Sequence, residues 1–329
     1  MDFHIEFSPK HLPQKINHRH KLLLMGSCFT ENIGDKLTAH KFSVVQNPNG
    51  ILFNPVSVKE AVENYIGNKV ITENDLFYLN EEHHSWQHHS RFSGTTKEDA
   101  VQKINTSTNT AHHYLKETDL VIITLGSAWV YELTAKAANA KTGNVAANNH
   151  KAPADWFNRR LLSNAEVIDL LHATIAQLQQ FNPTIKIIFT ISPVRHLREG
   201  FVENNRSKAV LINAVHAAAE HFENVFYFPA YELVIDDLRD YRFYAEDMVH
   251  PNYAATNYVW EKFVTTCIDE PSQELMKQIN EINAAINHKP FNETSVAHKA
   301  FKKKYLEKIV DMQRKHPYLN LADETKFMS

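Results

Sequence analysis

The sequence is short of several things, and each shortage removes a class of protein. It holds 2 cysteines, Cys28 and Cys267, in 329 residues. At most one disulfide can form, so this is no disulfide-stapled scaffold, and the usage suits a reducing compartment. Glycine is scarce, at 8 residues, and neither a G-x-G-x-x-G fingerprint nor a Walker loop occurs. Nucleotide-dependent chemistry is therefore disfavoured. The early apolar run Leu22-Leu23-Leu24-Met25 is too short for a membrane span or a signal-peptide core. The segment before it is polar and His-rich, and the expectation is a cytoplasmic protein. Neither sign of charge dominates: 35 Lys and Arg face 38 Asp and Glu, for a formal net charge of -3. That balance leaves no electrostatic footprint for nucleic acid or an anionic membrane. Histidine is plentiful, at 20 residues, with pairs at His83-His84, His88-His89 and His112-His113. With no H-E-x-x-H or C-x-x-C, solvated surface is the simpler reading, and neither a metal nor a cofactor is expected.

What is present is enough apolar material, 43% of residues, to bury a substantial core. Four short runs, at residues 21–25, 120–125, 186–191 and 225–228, are nearly continuous in apolar side chains. Such runs, unlike alternating ones, belong to a parallel sheet covered on both faces. Helical patterns separate them. Phe29, Ile33 and Leu37 recur at spacing four. Ser163-Asn164-Ala165-Glu166 is a capping box, and Val167, Leu170, Leu171, Ile175 and Leu178 form an apolar stripe behind it, stopped by Asn182-Pro183. Further helices are expected over 205–222 and 253–268. The alternation predicts an α/β fold with a doubly wound sheet.

Two insertions interrupt it. Residues 55–119 are expected to include a small β element around Phe77-Tyr78-Leu79 and Trp86. Residues 131–162, rich in Ala and Asn, read as a loop or lid with little core of its own. After residue 270 the composition shifts, and helices are expected over 272–287 and 295–314. The run Lys302-Lys303-Lys304 in the second reads as a solvated basic face. The chain thus divides into a catalytic domain at 1–270 and a helical appendage at 271–329.

Two strings carry chemistry. Gly26-Ser27-Cys28-Phe29 falls where a buried strand gives way to a helix. The carboxyl end of a strand is the ligand side of a doubly wound sheet. A helix N-terminus there favours an anion on a thiol or hydroxyl, and its amides can hold an oxyanion. Late in the chain stands Glu246-Asp247-Met248-Val249-His250-Pro251-Asn252. His250 suits a general base near neutral pH, and Asp247, three residues earlier, can orient it.

The string GSCF followed by T-E-N-I-G resembles the GSCFA family, placed in the SGNH (GDSL-like) hydrolase superfamily. Asn47-Pro48-Asn49-Gly50, Leu125 to Tyr131, Ser192 to His196 and Asp247-x-x-His250-Pro251-Asn252 look like its later blocks, in order, so the resemblance covers about residues 20 to 270. It implies a three-layer α/β/α, flavodoxin-like sandwich and an esterase- or acyltransferase-like site. The superfamily's Gly-Asp-Ser-Leu, laid ungapped on this chain, puts Cys28 in the place of the attacking Ser. Ser27 attacks only if the turn slips by one residue. In the oxyanion site the family pattern implies the amides of Cys28 and Gly50. The superfamily's Asn is replaced by Ala128, with Asn49 or Ser127 as candidate substitutes. Arg195 and His196 follow the third strand's carboxyl end and are the better substrate contacts, an Arg there suiting a carboxylate or phosphate. Trp129 and His150 are further candidates for substrate binding. Trp86, His88, His89 and Arg91 in the first insertion are candidates to line the cleft.

The expected activity is hydrolysis or transfer of an acyl group, on a small-molecule or glycan ester such as an O-acetylated sugar. The alternatives are a non-catalytic binding protein on a degenerate hydrolase fold, and a metal-assisted hydrolase with ligands from the His-rich insertions.

Overall fold

The apolar runs form the centre of one sheet in the computed structural model, which describes residues 6–329. Residues 1–5, the start of the polar N-terminal segment, lie outside the described residues. The elements of the α/β unit are β1 (Lys21–Gly26), α1 (Cys28–Ala39), β2 (Ser43–Gln46), α2 (Pro55–Ile66), β3 (Phe77–Leu79), β4 (Glu82–His84), α3 (Lys97–Leu115), β5 (Leu120–Leu125), β6 (Trp129–Leu133), β7 (Phe157–Leu161), α4 (Asn164–Phe181), β8 (Lys186–Ile191), α5 (Phe201–His221) and β9 (Val225–Tyr227). They are followed by the short α6 (Ala230–Glu232), which continues into a π-turn at Leu233–Leu238, and by α7 (Tyr253–Cys267). The sheet order is β2-β1-β5-β8-β9, and every pairing is parallel. This is the flavodoxin-like order, whose direction of winding reverses between β1 and β5.

Alternation along the strands feeds two cores. Leu23 and Met25 of β1, with Val121 and Ile123 of β5, face α2, α3, α4 and α5. Leu22 and Leu24, with Leu120 and Ile122, face Phe29, Ile33 and Leu37 of α1 and Val259, Trp260 and Phe263 of α7. The result is the expected three-layer α/β/α sandwich. The Ser163 capping box is formed at the head of α4, with the Ser163 hydroxyl accepting from the Glu166 amide.

Two features differ from the sequence reading. β2 has no long apolar run, because an edge strand of four residues, SVVQ, is only partly buried. The first insertion holds the β3–β4 hairpin as expected, but the second is no coreless lid. Its ends pair as the antiparallel β6–β7 hairpin, and Leu133, Ala137 and Ala146 pack with Phe77 and Trp86 of the first insertion. Each insertion supplies half of a small shared core, so neither half shows a periodic stripe of its own.

Beyond Ile268, α8 (Glu270–Ile286), α9 (Val296–Lys315) and α10 (Ala322–Met328) enclose a separate cluster built from Leu275, Ile279, Ile282, Ile309, Met312 and Leu321. It is tied to the sandwich by Asn283 Nδ2, which donates to the Ala39 carbonyl at 2.8 Å, and by a Lys41–Glu324 ion pair. Among the described residues, no helix is long and apolar enough to cross a membrane.

Where β1 ends, the chain runs against β5. Gly26 has φ +133°, and a Cβ there would lie 2.1 Å from the Thr124 carbonyl oxygen. Gly143 also has positive φ (+90°), but a Cβ there would meet nothing within 4 Å. Gly143→Ala should therefore cost about 1 kcal/mol for backbone strain alone. Gly26→Ala, which adds a clash with backbone, should cost more than about 4 kcal/mol. Urea unfolding of the two variants checks this, and equal losses would remove the clash argument.

Candidate active site

The β1 exit is fixed by backbone contacts on three sides. The Gly26 amide donates to Asn47 Oδ1 at 2.9 Å, the Ser27 amide to the Thr124 carbonyl at 3.0 Å, and the Leu52 amide to the Gly26 carbonyl at 2.9 Å. Ser27 is the N-cap of α1 and Cys28 its first residue. The two side chains part here. Ser27 is fully buried and its Oγ has no hydrogen-bond partner, whereas Cys28 is part-exposed. Burial pushes the Cys28 thiol up from its ordinary value. The amides of Phe29 and of Cys28 itself, and the cation of Lys208, pull the other way. Glu31 in the same first turn also raises it, but Arg91 neutralises that carboxylate through a 2.9 Å ion pair.

Across the sheet's carboxyl edge, the loop into α7 presents His250. Asp247 Oδ2 lies 2.6 Å from His250 Nδ1, while Asp247 Oδ1 accepts from the amides of Val249 (2.9 Å) and His250 (3.0 Å). These bonds, led by the contributions of His250, hold the Asp247 carboxyl down at about 2. Asp247 is thus ionised at neutral pH and fixes the ring by Nδ1, leaving Nε2 outside that contact. Asn252 caps α7, its side chain accepting from the Ala255 amide at 3.1 Å, which anchors the loop's far end.

A cavity of about 350 Å³ has walls that include Phe53, Ser127, Trp129, Tyr131, Arg195 and His196, and neither Cys28 nor His250 is among its lining residues. Arg195 joins the cavity to the His250 loop. Its amide donates to the Val249 carbonyl at 3.2 Å, and its guanidinium sits 3.9 Å from the Tyr244 ring centroid. Arg198 lines the same wall, 5.4 Å from the Tyr131 centroid, and no carboxylate of the described residues lines the cavity. His196 packs edge-on to Phe53 at 5.1 Å, with its Nε2 buried and unpartnered. Burial, then Lys208 and His250, lowers it to about 3, so it is neutral. Ser127 is on the wall, with its Oγ 3.2 Å from Ser207 Oγ.

Other expected residues sit elsewhere. The Gly50 amide is used inside its own turn, donating to the Asn47 carbonyl at 2.7 Å. Asn49 is buried, its Nδ2 donating to the Gln87 carbonyl at 3.1 Å and its Oδ1 unpartnered. His150, expected as a substrate contact, is buried in the insertion core, with its nitrogens 3.1 Å from Ser90 Oγ and 2.9 Å from the Ser85 carbonyl. Trp86 and His88 are buried in the first insertion, and Arg91 is turned to Glu31 and the Asn47 carbonyl, so this group does not line the cavity. Among the described residues, no group of three or more His, Cys, Asp or Glu is placed to hold a metal ion.

Sequence reasoning passed over Lys208. Its signal was positional: residues 204, 207, 208, 211, 215 and 218 share one face of α5, so a lysine at 208 falls on the side that packs inward. Lys208 is fully buried, and its Nζ donates to the carbonyls of Gly126 (2.6 Å) and Ser192 (2.7 Å).

The fold and site define an α/β chain of flavodoxin-like order with a thiol at the winding switch point and a His–Asp pair on the same sheet edge. The chain belongs to the GSCFA family: the family's model matches residues 21–263, and that of the GSCFA domain protein, C-terminal domain, matches 279–328. No curated protein matches the sequence. Among solved structures it is similar to a carbohydrate esterase family 3 from Talaromyces cellulolyticus, at 10% identity and TM-score 0.35, over 80% of this chain and 99% of that one. It is also similar to an acetyl xylan esterase from the rumen bacterium Butyrivibrio proteoclasticus, at 12% identity and TM-score 0.39, over 75% of this chain and 63% of that one.

The buried histidines give a pH prediction. Burial lowers His18 and His150 to about 4, and His88 and His196 to about 3. Above about pH 6.5 each is neutral in both folded and unfolded chains. Below that the unfolded chain takes up protons that the folded chain refuses, so stability falls as pH falls. Glu60, raised by burial, acts in the opposite sense but is outnumbered. The urea midpoint should be lower at pH 5 than at pH 7.5, and an equal or higher midpoint at pH 5 contradicts the assignment.

Proposed function

We propose that this chain hydrolyses or transfers the acyl group of a small-molecule or glycan ester, with Cys28 as nucleophile, His250 as base and then acid, and Asp247 as the group that orients His250. The observation that carries this reading is the placement of the Cys28 sulfur. It stands at the head of α1, at the switch point of the sheet, faced by the Phe29 amide and its own. That is the ligand side of this fold and an anion-stabilising position. The His250–Asp247 pair, at 2.6 Å, supplies the base and its orienting partner. Electrostatic coupling links Cys28 to Lys208, Lys208 to His196, and His196 to His250.

In the reaction the Cys28 proton passes to His250, and the sulfur adds to the acyl carbonyl. The carbonyl electron pair moves to oxygen and returns as the alcohol leaves with the proton from His250. A thioester remains; water or an acceptor hydroxyl then attacks it as His250 takes its proton, the carbon–sulfur bond breaks, and the Cys28 sulfur leaves and regains the proton from His250. Trp129, Arg195 and His196 contact the substrate in the cavity. The Arg195 and Arg198 guanidiniums, with no carboxylate of the described residues on the wall, favour an ester that carries a negative group.

A second reading has an observation of its own. The Gly50 amide is engaged in a turn, and Ala128 stands where the superfamily has its Asn donor. A site short of donors fits a binding protein that keeps the fold without the turnover.

Intact-protein mass after brief exposure to p-nitrophenyl acetate separates the two. The parent should gain one acetyl group, Cys28→Ala none, and Ser27→Ala one. His250→Ala should acylate slower by about 10² to 10⁴. An adduct that needs Ser27 moves the nucleophile by one residue. No adduct and no turnover in any of the four would favour the binding reading.

A further inference from the structure

A lysine wholly inside a protein normally has a carboxylate beside it, because an isolated buried ammonium is costly. Lys208 has none among the described residues. Its hydrogen-bond partners are two neutral carbonyl oxygens, those of Gly126 and Ser192, at 2.6 and 2.7 Å, and one of its three N–H donors is left over. Both carbonyls sit just past the carboxyl ends of β5 and β8. Gly126 packs against two side chains of the cavity wall: a Cβ there would lie 3.0 Å from His196 Nε2 and 3.1 Å from Phe53 Cδ1. It also lies two residues beyond Thr124, whose carbonyl accepts from the Ser27 amide at 3.0 Å, so the ammonium sits at the strand end that adjoins the β1 exit and Cys28.

The placement is braced. Asn204, Ser207 and Lys208 occupy one face of α5 and hold two loops that contribute to the cavity wall. Asn204 Oδ1 accepts from the His196 amide at 2.9 Å, and Ser207 Oγ from the Ala128 amide at 2.7 Å. The titratable groups facing Lys208 from neighbouring elements are the Cys28 thiol of α1, the His196 ring, and the Tyr231 ring of α6, whose centroid is 5.9 Å from Nζ.

We propose that Lys208 is the countercharge of the reacting centre, a positioning residue whose ammonium at the carboxyl ends of β5 and β8 stabilises the Cys28 thiolate and the anion formed when that sulfur adds to a carbonyl. The anion that this buried cation lacks in the resting protein is the one the chemistry creates. Burial brings Lys208 down to about 7, and the opposing effect comes from Cys28, so each group favours the charged form of the other. The inference rests on the reading of Cys28 as nucleophile, but its test needs no ester.

Alkylation by iodoacetamide, in which the Cys28 sulfur displaces iodide from the reagent's methylene carbon, reports the thiolate directly. The rate is read by peptide mass from pH 6 to 10 on the parent and on Lys208→Met, with circular dichroism to confirm folding. Cys267 is 1% exposed and is scored on its own peptide. In Lys208→Met the rate at pH 6, where Lys208 of the parent is protonated, should be about tenfold lower, and the midpoint should rise. An unchanged midpoint in a folded variant overturns the proposal, even if the acyl adduct forms. A shifted midpoint without any acyl adduct keeps Lys208 as the countercharge and removes the acyl-transfer reading instead.

Should Lys208→Met not fold, the coupling is read from the other end, because linkage is reciprocal. In protein labelled with ¹³Cε-lysine, the buried lysine that titrates near neutrality should do so at lower pH in Cys28→Ala than in the parent. An identical titration in the two proteins overturns the proposal.

Discussion

The close approach of β1 to β5 at one residue governs the site. Gly26 lies so near the Thr124 carbonyl that no side chain fits. The Ser27 amide bonds that same carbonyl, and the Asn47 side chain holds the Gly26 amide. With the strand's last residue clamped on both sides, the next two side chains have no freedom of direction. Ser27 goes inward as N-cap, and Cys28 opens the helix at its positive end. The segment from Asn47 to Asn54 is placed by the same clamp, since the Leu52 amide bonds the Gly26 carbonyl. It carries Phe53 to the cavity wall and Asn54 to the N-cap of α2, where its side chain accepts from the Ser57 amide.

A second constraint works from below. Apolar helix faces hold a sheet by burial alone, which is not directional. The α5 face departs from that at its N-terminal half, where Asn204, Ser207 and Lys208 replace apolar contacts with directed bonds to loops 126–128 and 192–196. Its later positions, Leu211, Ala214, Val215 and Ala218, return to ordinary packing against the sheet. The helix is a hydrophobic strut at one end and a polar bracket at the other. The bracket sits where loops, not strands, must be held in place.

This division explains how much was legible in advance. β1, β5 and β8 announce themselves because both faces are buried and nearly every position is apolar. β2, at the sheet's edge, carries no such run and went unread. The β6–β7 hairpin joins Trp129 to Leu161, and its shared core with the first insertion depends on contacts between segments more than fifty residues apart, such as Trp86 Nε1 donating to the Ala138 carbonyl at 3.0 Å. No local pattern records that. The candidate site divides the same way. The positions of Cys28 at a helix head and of Asp247 beside His250 follow from a strand end and a three-residue spacing, and their roles belong to the proposal. His150 misled because its neighbours in sequence suggest a loop, whereas tertiary packing uses both its nitrogens. Lys208 was hidden by its residue type, since a lysine in a helix is ordinarily read as surface.

On the proposed reading, the loss of the Asn donor and the presence of Lys208 belong together. Ala128 leaves that position without a side-chain donor, its amide is tied to Ser207, and the Gly50 amide is tied to Asn47. Neutral donors act on an oxyanion through directed bonds, which require each donor to be unoccupied and aimed. A buried ammonium acts through its field, which is long-ranged where water is excluded and does not depend on a bond angle. A site left with the amides at the head of α1 and without the Ala128-position and Gly50 donors gains anion stabilisation if a charge takes over part of the task. A thiol is the nucleophile that such a change suits best, because its own anion forms before the carbonyl's and draws on the same field. Cysteine at residue 28, alanine at 128 and lysine at 208 then read as one coordinated departure from the pattern with a serine and an asparagine.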